Sequence, residues 1–401
     1  MMPDITVVFL RWMGMRAVLH RGYWLVTSLY LVVDAQLSAF QLVFLGTAQG
    51  IISLLVEVPA GVMADTISRK WALVIAHTLV GTSMVITGLV TSFSALVATQ
   101  MLWGVGWAFA SGADIAWVTD ELGRPDRIAR VLTASARWEV VGSAVGLLGF
   151  GLLAFAIGRG PAMVVAGVAM VVLGLYVILR FTEHGFTPTR AQRWQQSTTT
   201  LRRGVALARR DHEILLVLVA TVLINGAAEA YGRLYPRQLV ALGFPGQSDP
   251  IVWFTGLGII AFAIGAFALR IVEARIDGVG VARHVYAAAC FIGAIGLIAL
   301  AYAPGYLVGS AGVLLVGGIA LTVTRAVGVI WVNRRTTSDV RATMQSMLAQ
   351  AEYGGEILCG VALGALAQST SIPVAFACSA ALIAGAGVMV VRSRTRGHDA
   401  Q

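Results

Sequence analysis

Apolar runs of about 20 residues recur along this chain with short polar joints between them, the length at which an α-helix crosses hydrocarbon. They fall at roughly 22–40, 41–62, 71–91, 95–119, 133–157, 162–181, 213–237, 251–270, 284–303, 306–331, 342–367 and 372–391. The pattern predicts an all-α polytopic membrane protein with twelve transmembrane helices, because a helix satisfies its own backbone hydrogen bonds inside a bilayer. One long polar interval, Thr182 to Asp211, parts the runs six and six. Thr187-Pro188-Thr189 and the Gln/Thr run from Gln192 to Thr200 predict a linker, and Leu201 to Arg210 has the pattern of a short basic amphipathic helix. The expected organisation is a six-helix bundle over 1–181, a cytoplasmic linker over 182–211 and a second six-helix bundle over 212–401. The halves echo each other weakly, as paired repeats do. Both fourth runs are Gly-rich with one buried charge (Gly104, Gly106 and Asp114; Gly317, Gly318 and Arg325), and both first runs carry an outer acid, Asp34 and Glu229.

Composition agrees with the pattern. Of the 401 residues 58% are hydrophobic and 12% charged, too apolar for a soluble chain to cover its own surface. The net charge of +9 is a matter of topology. Of the 29 basic residues, 24 lie in alternate joints, counted from Arg11, Arg16 and Arg21 to Arg392, Arg394 and Arg396, while the other joints hold Arg159 and Arg237. Excess Arg and Lys marks the cytoplasmic side, so both termini are expected there, the spans are even in number, and a nucleic-acid role is excluded. No cleavable signal peptide is recognised, and the first run itself is expected to target the chain; the use of 28 Arg against one Lys suggests a bacterial plasma membrane, and a monomer is expected. The single lysine, Lys70, lies outside any G-x-x-x-x-G-K-[ST] setting, which excludes a phosphate loop. Cys290, Cys359 and Cys378 lie within runs, and His20, His77, His184, His212, His284 and His398 fall at or near the basic side, so neither a disulfide nor a metal site is expected. Gly256-Leu-Gly258 inside an apolar run reads as helix packing rather than nucleotide binding. No cofactor and no enzymatic activity are expected.

The most informative segment joins the second and third runs: Glu57-Val-Pro59-Ala-Gly61, then Asp65, Arg69 and Lys70. Charges beside a Pro and a Gly at a membrane edge suggest a hinge and gate, with Glu57 and Pro59 as gate candidates. The spacing Gly61-x-x-Ala64-Asp65-x-x-x-Arg69-Lys70-x-x-Leu73 resembles the signature loop of the major facilitator superfamily, with Thr66 and Ser68 where that family usually has Arg and Gly. Together with the six-plus-six layout, the resemblance covers essentially the whole chain. It implies secondary transport by alternating access and a latch in which Asp65 faces the start of the eleventh span near Ser338 to Arg341. In that latch Arg69 faces Asp120 or Glu121. It also puts spans one, four, seven and ten around the cavity. Gln100 stands where the family's proton-coupled members usually have Arg, before Trp103-Gly104-Val105-Gly106. Gly142, Gly146, Gly149 and Gly151 resemble the Gly-rich antiporter helix without its Pro, although small residues at such spacing are more often a helix-packing surface.

Charges inside the runs are the candidate working parts. At about 100° per residue, Gln100, Trp103, Trp107, Asp114, Trp117 and Glu121 share one face. An acid among aromatic rings suits a lipophilic cation, making Trp103, Trp107 and Asp114 substrate candidates unless Asp114 pairs with Arg137 or Arg325. Asp34, Glu229, Glu352 and Glu356 are proton-coupling candidates, because a carboxylate in low dielectric is readily neutralised and recharged. Asp34 leads among them, since Glu229 stands four residues before Arg233, a ready helical ion pair. Arg325 would instead favour an anionic substrate. The reading is proton-coupled export of a small amphipathic, cationic compound. The alternatives are transport of a polar or anionic metabolite and a non-transporting sensor or assembly partner.

Overall fold

The computed structural model describes residues 4–188, 212–245, 249–273, 279–335 and 338–392. Most of the expected linker and its amphipathic segment lie outside the described residues. The helices are α1 Ile5–Val33, α2 Ala39–Thr66, α3 Arg69–Thr87, α4 Phe93–Ala110, α5 Ala113–Leu122, α6 Pro125–Ile157 and α7 Arg159–Arg180. They continue with α8 His212–Leu242, α9 Pro250–Glu273, α10 Val279–Ala301, α11 Tyr306–Val313, α12 Leu321–Arg335, α13 Ser338–Ser369 and α14 Ile372–Arg392. A π-helical turn, Leu314–Ala320, joins α11 to α12, and α4 and α5 follow one another through Ser111-Gly112. Ten spans among the described residues are long and apolar enough to cross a membrane. The charge-bearing α1 and α13, of 29 and 32 residues, complete the twelve-helix all-α fold.

Two compact units result. The first comprises Met1–Leu37, Ala48–Gln196 and Gly246–Ile259; the second comprises Ser38–Thr47, Ser197–Pro245 and Ile260–Gln401. In the first, α1 packs on α6 and α7, and α3 on α7 and α4; in the second, α8 packs on α13 and α14, and α10 on α11 and α14. Small residues set these contacts. A Cβ added at Gly146 of α6 would lie 3.0 Å from the Cα of Val18, and one at Gly142 would meet the Gly14 carbonyl, so α6 rests directly on the backbone of α1. That is the close approach small residues permit between membrane helices.

Several helix boundaries differ from the sequence reading, two of them with consequences for the candidate residues. The first helix begins at Ile5 rather than near residue 22, so Arg11, Arg16 and Arg21 belong to α1 and not to a joint before it. Arginine in a sequence reads as a stop signal, but a helix carries it when the guanidinium finds a partner or water. The fourth span is not one straight helix: Gly112 adopts φ 76°, a left-handed conformation that a residue with a Cβ rarely takes, and the chain restarts at Ala113. The single helical face drawn through Trp107 and Asp114 therefore does not exist as drawn.

Candidate functional site

The signature segment lies mainly on helix. α2 runs unbroken through Pro59 and Gly61 to Thr66, and only Ile67 and Ser68 separate it from α3. A membrane helix accommodates an internal Pro when its neighbours absorb the freed carbonyl, so the expected hinge is a tight corner. Asp65, 5% exposed, pairs with Arg69 at 3.4 Å. Arg69 also pairs with Asp120 and donates to the Ala116 carbonyl at 2.8 Å. Glu121 instead accepts from Thr182 Oγ1 and the Gly185 backbone, both at 2.6 Å. Glu183 accepts from Ser68 Oγ at 2.5 Å and Lys70 N at 3.1 Å, placing an acid at the N-terminus of α3, where the helix dipole favours it. The residues just after α7 thus strap the corner, a role for Glu183 that sequence reasoning missed. The Lys70 side chain has no ion pair among the described residues, and neither has Glu57, which precedes the last turns of α2. The side chains of Ser338 to Arg341 lie outside the described residues.

The aromatic-acid site is occupied by the protein itself. Asp114 pairs at 2.9 Å with Arg16 of α1, whose guanidinium lies 5.1 Å from the Trp12 ring and 5.6 Å from the Trp107 ring. Neither Arg137 nor Arg325 is its partner. Trp103 and Trp117 are each 1% exposed and pack as core, Trp103 stacked on Tyr23 at 5.0 Å and Trp117 on Phe181 at 3.9 Å. Trp107 alone of the three rings stays part-exposed. Gln100 is fully buried, and its amide meets no hydrogen-bond partner among the described residues.

Breaking the Arg16–Asp114 pair leaves a part-buried charge uncompensated, which costs about 3 kcal/mol. Asp114→Asn is therefore expected to lower the thermal midpoint of the purified protein by several degrees, and the double variant Arg16→Met, Asp114→Leu to recover most of it. Equal midpoints for wild type and Asp114→Asn would show that the pair contributes nothing.

Two histidines are inside the unit rather than at its basic edge. His77 is 2% exposed and accepts from Trp12 Nε1 at 2.8 Å, with its Nδ1 3.2 Å from Met170 Sδ. His20 meets the Trp103 and Trp107 rings at 5.2 and 5.8 Å and makes no hydrogen bond among the described residues. Beside it, Arg21 is exposed and makes neither hydrogen bond nor ion pair among the described residues.

Asp34 and Glu229 do not occupy corresponding positions. Asp34 caps the C-terminus of α1, whereas Glu229 lies thirteen residues before the end of α8; the same count back from Val33 reaches His20. An acid at a helix C-terminus opposes the dipole, and Arg159 at the start of α7 offsets it through Nε and Nη2 at 2.6 and 3.4 Å. The third nitrogen, Nη1, reaches both oxygens of Asp249 at 3.0 and 3.2 Å, and Asp249 in turn caps α9 through the Ile251 amide. Arg159 is thus fully engaged between two acids. Asp249 lies 90 residues beyond it in the chain, a separation that leaves no local signal of the pairing.

In the second unit Glu229 accepts from Arg233 at 2.9 Å, one turn along α8. The pair is covered so closely that a Cβ at Gly46 of α2 would strike both side chains, and one at Gly360 of α13 would lie 3.4 Å from Glu229 Cγ. Arg325 of α12 reaches Glu352 of α13 at 3.3 Å. Glu356, one turn further on α13, has no ion pair or hydrogen bond among the described residues and lies in the field of Glu229, Glu352, Arg233 and Arg325. Tyr231 donates to the Val313 carbonyl at 3.1 Å, at the edge of the π turn, and stacks on Tyr235 at 5.2 Å. Three carboxylates therefore share two guanidinium groups.

A family profile described as MFS_3, transmembrane secretion effector, matches residues 12–401. No curated protein matches the chain by sequence. Among solved structures, the nucleoside transporter NupG superposes with a TM-score of 0.77 at 17% identity, covering 98% of this chain and 100% of that one. A POT family transporter in complex with 5-aminolevulinic acid gives 0.72 at 11% identity, covering 96% and 95%. The peptide transporter POT in complex with sulfate gives 0.71 at 12%, covering 97% and 94%. At these identities the likeness is one of fold.

Proposed function

Since the chain belongs to the transmembrane secretion effector family of major facilitator transporters, we propose that it exports a small amphipathic compound in exchange for protons. It is a multi-pass membrane transporter and not an enzyme. The observation that carries the proton coupling is the surplus carboxylate of the second unit. Glu229 has Arg233 and Glu352 has Arg325, while Glu356 has no guanidinium of its own among the described residues. Glu356 can therefore take up and lose a proton without stranding an arginine. Asp34, held by Arg159 at a helix end, is less suited to that role than the sequence suggested.

The outward direction rests on the family's description as a secretion effector. Arg69 between Asp65 and Asp120 is suited to act as the latch, since such a charge pair is remade cheaply as a two-state element switches. The basic joints that remain after Arg11, Arg16 and Arg21 join α1 support both termini being cytoplasmic, in a plasma membrane on our reading. Asp114 enters as a structural partner of Arg16 rather than as an open cation site. The alternative, a polar or anionic metabolite held by Arg325 and Arg233, meets two arginines already engaged by glutamates.

The test is proton flux in proteoliposomes with an imposed pH gradient and a lumenal pH dye, screened against amphipathic anions, amphipathic cations and polar metabolites. Protein-dependent dissipation by a member of one class is the expected result. No flux with any class, from protein shown to be folded, would remove proton coupling and leave facilitated transport or a sensor.

A further inference from the structure

The proposed export leaves the substrate's chemistry open, and the open side of α1 bears on it. The helix is 29 residues long, about 43 Å at 1.5 Å per residue. Arg21 stands twelve residues from its end, about 18 Å. A hydrocarbon layer of about 30 Å covers that position wherever it is placed along the helix. Its distance below the nearer edge of that layer then runs from about 6 to about 15 Å, where an arginine is favoured against protein or water, or reaching toward the interface, over lipid.

The unit's own contacts show which side Arg21 takes. Gly14, Val18 and Gly22 face α6, and Arg16, His20 and Tyr23 face α4 and α5. Between these two contacts lie Arg21, Trp24 and Ser28, spaced i, i+3, i+7 along one stripe, with Arg21 exposed and the other two part-exposed. Trp24 is braced edge-on against Trp103 at 5.3 Å. His20, next to Arg21, keeps both ring nitrogens without a hydrogen bond among the described residues. Arg16, the other nearby cation, is already neutralised by Asp114. Among the described residues, what remains on this side is the guanidinium of Arg21, without an ion pair, beside a firmly held indole.

From this placement we infer that Arg21 and Trp24 form a recognition site for the acidic group and planar apolar body of an amphipathic anion. A guanidinium offers paired donors to a carboxylate, sulfonate or phosphate, and the indole offers a face for an aromatic or polycyclic body. The assignment rests on the transport reading and reverses the cationic substrate expected from the sequence.

Binding is measured on the full chain in detergent by thermal shift and tryptophan quenching, with 1-naphthalenesulfonate, neutral 1-naphthol and tetraphenylphosphonium as probes. The sulfonate is expected to bind at least ten times tighter than the naphthol. Arg21→Gln should remove that preference and Arg21→Lys keep part of it, with tetraphenylphosphonium unaffected in either variant. Equal affinity of wild type for sulfonate and naphthol, or full retention of the preference in folded Arg21→Gln, overturns the site. The same probes in proteoliposomes separate the two ideas. Flux driven by cations but not by the sulfonate sinks the anion site and leaves transport standing, whereas Arg21-dependent sulfonate binding without flux does the reverse.

Discussion

Glu356→Gln is expected to abolish proton-driven transport while leaving the protein folded. Glutamine keeps the shape of the protonated acid and has no proton to give up. The two ion pairs around it, Glu229–Arg233 and Glu352–Arg325, keep both partners. Substrate accumulation against a gradient should fall more than tenfold, while exchange of labelled for unlabelled substrate, which needs no net proton movement, should persist and lose its pH dependence. Glu229→Gln should behave differently, because it removes the carboxylate that Arg233 bonds at 2.9 Å in a tightly covered place beside Gly46, and so lowers stability as well as transport. The comparison is made in proteoliposomes, with midpoints measured in parallel. Wild-type accumulation in Glu356→Gln would remove this residue from the coupling mechanism.

The second large effect concerns assembly. Gly146→Leu puts a branched side chain where the backbone of Val18 already lies, and neither partner can yield by rotating a side chain. Overpacking of this kind costs about 3 kcal/mol. Here it would force α6 off α1, with loss of most folded protein in size-exclusion chromatography. Gly149→Leu is the matched control: it stands on the same helix, but a Cβ there enters open space, so the variant should be tolerated. If both variants purify alike, the glycines of α6 are not a packing surface.

These cases mark what could be read from the chain and what could not. Span length and apolar content found the helices because the bilayer imposes them locally, and the Glu229–Arg233 pair followed from a spacing of four. Arg16 and Asp114 are 98 residues apart, so their pairing depends on how α1 meets α5 and had no local signal. The place of Arg21 within α1 was hidden by a different cause, since reading arginine as a boundary moves the start of α1 past it. The break at Gly112, φ 76°, had no place in a face drawn at a constant 100° per residue from Trp107 to Asp114. Family-level order was legible in the corner residues Asp65 and Arg69, while the strap from Glu183 needed the fold to bring residues 113 to 115 positions apart into contact.

The π turn at Leu314–Ala320 is a place where the tenth span could rotate without unwinding. Such a turn holds one residue more than the α repeat, and Thr322 already bonds across it to the Gly317 carbonyl at 3.0 Å. Passing that residue to the other side of the turn would rotate the helix beyond it by about 100° without unwinding it. Arg325 would swing away from Glu352, while the Tyr231 bond to Val313, on the near side, stayed in place. One screw step in a single helix would thus release Glu352 from its arginine.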